Sequence, residues 1–111
     1  MKKALVIDDE NRTKELIVKM INSFGLEIEA IPGGNNVSSG IESIKAYDPD
    51  IVFLDIQMPD GTGFDLLKGF KEKNFELIFI TAHEEFAIKA IKFSALDYIL
   101  KPIDQTELKA A

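Results

Sequence analysis

Five short runs of β-branched, aliphatic and aromatic residues recur along the chain: Ala4-Leu5-Val6-Ile7, Leu26-Glu27-Ile28-Glu29-Ala30-Ile31, Ile51-Val52-Phe53-Leu54, Leu77-Ile78-Phe79-Ile80 and Leu96-Asp97-Tyr98-Ile99-Leu100. Their starts lie about 20–25 residues apart, which is room for one strand, one helix and two loops. The first, third and fourth runs are continuously apolar, as strands buried on both faces are. The second alternates, the pattern of an edge strand. Between the runs the period turns helical. Leu16, Ile17, Met20, Ile21 and Phe24 form one stripe, with Gly25 as its stop signal. Val37, Ile41 and Ile44 form a second stripe. Leu66, Leu67 and Phe70 mark a third helix, and Phe86, Ala87, Ala90 and Ile91 a fourth. Asp104, with Glu107 three residues on, has the pattern of a capping box for a fifth. Loops are punctuated by Pro32-Gly33-Gly34-Asn35-Asn36, Asp48-Pro49 and Pro59-Asp60-Gly61-Thr62-Gly63.

Strict alternation of strand and helix predicts an α/β fold: a doubly wound, five-stranded parallel sheet with helices on both faces. Right-handed crossovers bring the C-terminal ends of all strands to one edge. Ligands of such sheets bind beyond those ends, where the strand order reverses. The residues at that edge can be read directly. The first strand is followed by Asp8-Asp9-Glu10, the third by Asp55, the fourth by Thr81 and the fifth by Lys101-Pro102. The second delivers no ionisable group, only Ile31-Pro32, which fits an outer position and the order 2-1-3-4-5.

Composition narrows the chemistry. The 111 residues suit one domain, and a net charge of −6 is a poor basis for binding nucleic acid. There are no cysteines, so disulfides, thiol nucleophiles and zinc–thiolate sites are excluded; a single histidine excludes a His-rich metal site. No apolar run approaches the ~18 residues of a membrane span. The start, Met1-Lys2-Lys3, reaches Asp8-Asp9 too soon for a signal peptide. The expectation is a cytoplasmic globular domain that does not engage membrane.

Carboxylates converging on one sheet edge repel. At ~5 Å and an effective dielectric of ~20, each pair costs on the order of 3 kcal/mol. A divalent cation relieves this. The candidate ligands are all oxygens and few come from protein, which suits Mg²⁺ with retained waters, or another divalent ion such as Mn²⁺ or Ca²⁺. With the cation present, Asp55 can stay ionised and act as a nucleophile toward phosphorus. Lys101 would add positive charge, and the Thr81 hydroxyl can donate to a phosphoryl oxygen.

Together, Asp8-Asp9, Asp55 followed by Met58-Pro59-Asp60-Gly61, Thr81-Ala82 and Lys101-Pro102 resemble a bacterial two-component response-regulator receiver domain, with matching spacing over essentially the whole chain. Thr81-Ala82-His83-Glu84-Glu85-Phe86-Ala87-Ile88-Lys89-Ala90, continued by Ala95-Leu96-Asp97-Tyr98-Ile99-Leu100-Lys101-Pro102-Ile103, is similar to receivers joined to LytTR-type DNA-binding domains. The resemblance implies a flavodoxin-like fold. It implies that Asp55 accepts a phosphoryl group from a phosphohistidine of a sensor histidine kinase or phosphotransfer protein. Asp9 would bind Mg²⁺ directly, Asp8 mostly through water, and Asp55 and the backbone carbonyl of Gln57 would complete the protein ligands. Lys101 would contact the phosphoryl group and Thr81 would close on it. Tyr98 matches the aromatic switch position, and Lys101-Pro102 would be a cis peptide. Gln57, Met58 and His83 would rim the site. Such a domain is no enzyme beyond its own phosphorylation and slow dephosphorylation. Phosphorylation would favour a homodimer through the fourth helix, fifth strand and fifth helix, and DNA would be bound only by an output domain outside this chain. Receivers carry the fifth helix further than Ala111, so residues 1–111 are expected to be a receiver with its last helix truncated.

Blander readings stand beside these. Asp8-Asp9 and Thr81 are also good helix N-caps. Lys101 could be a surface lysine, Tyr98 a half-buried strand residue, and His83 a solvated one. A receiver-like module that is never phosphorylated is a competing function; so is an aspartyl phosphohydrolase, although those place an Asp-x-Asp pair after the first strand and Asp8-Asp9 are adjacent. Pro32-Gly33-Gly34 has no following Lys-Ser/Thr and is no phosphate loop.

Overall fold

A computed structural model of the chain describes residues 2–25, 28–69, 75–81 and 97–100, the last four by backbone except for the side chain of Ile99. The expected fourth helix at Phe86, Ala87, Ala90 and Ile91, the fifth at Asp104 and Glu107, and Leu26, Glu27, Phe70 and Leu96 lie outside these residues. The elements are β1 (Lys2–Ile7), α1 (Asn11–Ser23), β2 (Ile28–Pro32), α2 (Val37–Tyr47), β3 (Ile51–Leu54), β4 (Gln57–Met58), β5 (Gly61–Thr62), α3 (Gly63–Lys68), β6 (Glu76–Thr81) and β7 (Asp97–Leu100).

The main sheet has the order β2-β1-β3-β6-β7, and its pairings are all parallel. Because β4 and β5 form a separate antiparallel pair, β6 and β7 are its fourth and fifth strands. The expected order 2-1-3-4-5 is therefore the observed one, with the alternating second run on the outer edge.

Successive strand residues point to opposite faces, and the core divides accordingly. Leu5, Ile7, Val52, Leu54, Leu77 and Phe79 pack with Ile44 of α2 and with Phe64, Leu66 and Leu67 of α3. Ala4, Val6, Phe53, Ile78, Ile80 and Ile99 pack on the other face with Ile17 and Ile21 of α1. The Phe64 and Phe79 rings are tilted by 56° with centroids 5.1 Å apart, a geometry that adds about 1 kcal/mol beyond burial.

The helices show why these segments form where they do. On α1 the buried stripe is Lys14, Ile17 and Ile21, with Val18 partly buried. Leu16, expected in this stripe, is 49% exposed. At 3.6 residues per turn it sits about 100° round the helix from Ile17, and the spacing 14, 17, 18, 21 leaves it outside. Past the end of α1, Gly25 takes φ +72°, as its stop-signal role requires. The Asn22 side chain of α1 brackets β2: its Oδ1 accepts from Ala30 N–H at 2.9 Å and its Nδ2 donates to Ala30 O at 3.2 Å. Asn36 caps α2 in a reciprocal box with Ser39, and Thr62 caps α3 in another with Asp65. The Pro59-Asp60-Gly61-Thr62-Gly63 loop thus contains one arm of a hairpin and a helix cap. Two-residue arms are too short to show a period in sequence. No helix among the described residues is long and apolar enough to cross a membrane.

Candidate functional site

Parallel pairing aligns the C-terminal ends of β1 and β3. Ile7 pairs with Leu54, so Asp8 and Asp55 are the next residues of adjacent strands. The ladder runs one rung further, since Asp55 N–H donates to Ile7 O at 3.0 Å. This rung explains how a carboxylate between Leu54 and Ile56, both fully buried, comes to be itself only 6% exposed. Asp8 is 1% exposed, whereas Asp9 is open to solvent.

One carboxylate oxygen from each of Asp8, Asp9 and Asp55 lies within 4.8 Å of the others. Backbone amides orient two of the three groups. Asp8 Oδ1 accepts from Glu10 N–H at 2.9 Å, and Asp55 Oδ1 accepts from Ile56 N–H at 2.7 Å. At an effective dielectric of about 20 each close pair repels by about 3 kcal/mol, with solvent screening the share that involves Asp9. An all-oxygen donor set, crowded and mostly buried, fits a hard divalent cation.

β4 follows Asp55 immediately. Gln57 is exposed and pairs with Thr62, which sets its backbone carbonyl in the short hairpin. Met58, expected at the rim, is instead buried in the apolar cluster on the α2 and α3 face; the hairpin turns Gln57 out and Met58 in. Gly63 opens α3 where only glycine fits: an added Cβ would lie 2.7 Å from Asp55 O. Thr81 ends β6, fully buried, and pairs with Leu100 of β7. The structure thus brings together Asp8, Asp9 and Asp55, and puts Thr81 at the end of the neighbouring strand. The backbone of Tyr98 pairs with Phe79; its side chain, His83, Lys101 and Pro102 lie outside the described residues.

Two charged residues near this edge have no role assigned from sequence, although Asp60 stands in the Met58-Pro59-Asp60-Gly61 motif. Lys14 is buried on α1 and donates to Gly33 O at 3.0 Å and to Asn35 Oδ1. Asp60, at the tip of the β4–β5 hairpin, accepts from two amides of α2. The Val37 amide, ahead of that of Ser38, holds its carboxyl below the usual carboxylate range. Both interactions join segments about 20 residues apart, which no local pattern reveals.

Residues 4–111 match the response regulator receiver domain family. The chain belongs to that family. It is a receiver domain of two-component response regulators, a phosphorylation-controlled signalling module. It is 38% identical over 112 residues to the sensory transduction protein LytR of Staphylococcus saprophyticus, covering 98% of this chain and 43% of that protein. It is 38% identical over 110 residues to the sensory transduction protein LytT of Bacillus anthracis, covering 97% and 44%. The receiver thus spans less than half the length of these curated relatives. The crystal structure of the response regulator protein TrrA from Thermotoga maritima, in complex with Mg²⁺-BeF, is similar at a TM-score of 0.85 and 28% identity, over 99% of this chain and 95% of that one. Receivers as a family bind Mg²⁺ through acidic residues, and the Asp8, Asp9 and Asp55 cluster has that chemistry.

Proposed function

We propose that Asp55 is the phosphoryl acceptor of this receiver. The observation that carries the reading is the position of Asp55: buried, hydrogen-bonded to the next backbone amide, and within 4.8 Å of two further carboxylates. A carboxylate oxygen of Asp55 attacks the phosphorus of a phosphohistidine on a sensor histidine kinase or phosphotransfer protein. The P–O bond forms as the P–N bond breaks, and the imidazole leaves with the bond's electron pair. Asp9 directly, Asp8 largely through water, and Asp55 with the Gln57 carbonyl would hold Mg²⁺, Mn²⁺ or Ca²⁺. The cation supplies positive charge against the oxygens of the transferring group. Thr81 donates its hydroxyl to a phosphoryl oxygen, and Lys101 adds a second positive charge.

The acyl phosphate carries ~1.5–2 negative charges, by analogy with other phosphoresidues, where the Asp55 carboxylate carried one. In this reading Thr81 moves to the phosphoryl group and Tyr98 turns inward, biasing the packing of the fourth helix against β7. That surface forms a homodimer in the phosphorylated state and controls a DNA-binding output domain. The domain works in the cytoplasm, turns over no external substrate, and slowly hydrolyses its own acyl phosphate. The test is incubation with acetyl phosphate and Mg²⁺, read by intact mass. Wild type gains one phosphoryl group; Asp55→Asn and Asp55→Ala gain none. An unlabelled wild type, beside a labelled control receiver, overturns the reading.

A further inference from the structure

The β4–β5 hairpin carries the Gln57 carbonyl, yet arms of two residues are too short to hold themselves. Its base is fixed to α3. Gly63 N–H donates to Ile56 O at 2.6 Å, and Asp65 Oδ2 accepts from Thr62 N–H at 2.9 Å and from the Thr62 hydroxyl at 3.1 Å. Its tip is fixed elsewhere. Asp60 Oδ1 accepts from Val37 N–H at 2.7 Å, and Asp60 Oδ2 accepts from Ser38 N–H at 3.2 Å. These amides open α2, and the helix's own cap serves a different donor, Ser39 N–H. The first turn of α2 is therefore completed by a carboxylate from the loop that follows Asp55. The charge sits at the positive end of the helix dipole, where an anion is favoured.

The bond has a mechanical consequence. Lys14 ties the Gly33 and Asn35 loop, which leads into α2, back to α1, and α1 starts two residues after Asp9. Asp60 closes this path into a ring: Asp9, α1, Lys14, the β2–α2 loop, α2, Asp60, the hairpin and Asp55. We propose that Asp60 is a positioning residue for the metal centre, holding the hairpin so that the Gln57 carbonyl stays in register with Asp9 and Asp55. This rests on the cation reading of the acidic cluster given above. Asp60 touches neither metal nor phosphoryl group; it acts through the backbone between Gln57 and Gly61.

Mg²⁺ affinity of the full chain, measured by calorimetric titration well below the melting transition, tests the proposal. Asp60→Ala should weaken Mg²⁺ binding about tenfold, the lower end for outer partners of metal ligands. Asp60→Asn, which keeps one acceptor oxygen, should fall between. Val37→Pro removes one donor from the other side. Proline is tolerated in the first helical turn, and Asn36 before it already has the extended φ −149°, ψ 178° that precedes proline readily. This variant should weaken binding without altering the hairpin's own residues, and should add nothing in the Asp60→Ala background. An Asp60→Ala chain with wild-type affinity overturns the proposal, as do independent, multiplying effects of the two substitutions. Should Asp60→Ala fail to fold, unchanged affinity in Val37→Pro overturns it instead. A wild type that binds no Mg²⁺ overturns the cation reading itself, so the two failures are distinguishable.

Discussion

Lys14 occupies the position on α1 that a simple apolar stripe would give to a leucine. Its stem is buried with Ile17 and Ile21 while its ammonium serves Gly33 O and Asn35 Oδ1. Lys14→Met keeps the stem and loses both bonds; Gly33 is half-buried and Asn35 exposed, so water can replace the ammonium and the change should cost about 0.5–1.5 kcal/mol, measured by urea unfolding. Asp60 makes a different contribution. Its carboxyl is held below the usual range, chiefly by the Val37 amide. The folded pKa is depressed, so the stabilisation is present above the unfolded value of ~3.9 and is lost as pH falls through the lowered one. Urea midpoints below pH ~4 should therefore fall less steeply in Asp60→Asn than in wild type. Asp8, Asp9 and Asp55 could be read from sequence because each lies within two residues of a strand's end, and strand ends define the edge. Lys14 and Asp60 could not, since their partners are set by how α1, α2 and the hairpin pack. Leu16 shows the same limit from the apolar side: a greedy stripe absorbs a neighbour that the helix turns outward.

Glycine at the start of α3 links an element boundary to the site. The Gly63 amide bonds Ile56 O, and the backbone approach leaves no room for a side chain beside Asp55 O. Gly63→Ala should push α3 away from Asp55. The expected outcome is a lower melting temperature together with slower labelling by acetyl phosphate; labelling at the wild-type rate would show that the boundary and the proposed acceptor are uncoupled. β3 was readable to the residue, from Ile51 to Leu54, because its apolar run is short and bounded by turn signals. The ends of β1 and β6 were not, because Lys2, Lys3 and Glu76 join the ladder by backbone pairing whatever their side chains. The β4–β5 hairpin escaped for a related reason: two backbone pairings leave no side-chain period.

The second strand brings no charge to the edge, which fits its outer place, and the order expected with it there is the order observed. Crowding the acidic cluster onto one rim gives the whole fold a stake in cation binding. At a Mg²⁺ concentration of 100 times Kd, linkage predicts about 2.7 kcal/mol of added stability. Thermal unfolding should therefore shift upward with Mg²⁺ in wild type and much less in Asp9→Asn, which keeps the side chain's shape and removes its charge.

Among the described residues the outer strand β2 has one flank with no neighbouring strand, and such a flank is a template for another chain's backbone. Asn22 occupies it at mid-strand, presenting its amide to the Ala30 peptide groups much as an incoming strand would. The helix side chain thereby acts as a stopper against indiscriminate strand addition, so that self-association through this flank is obstructed.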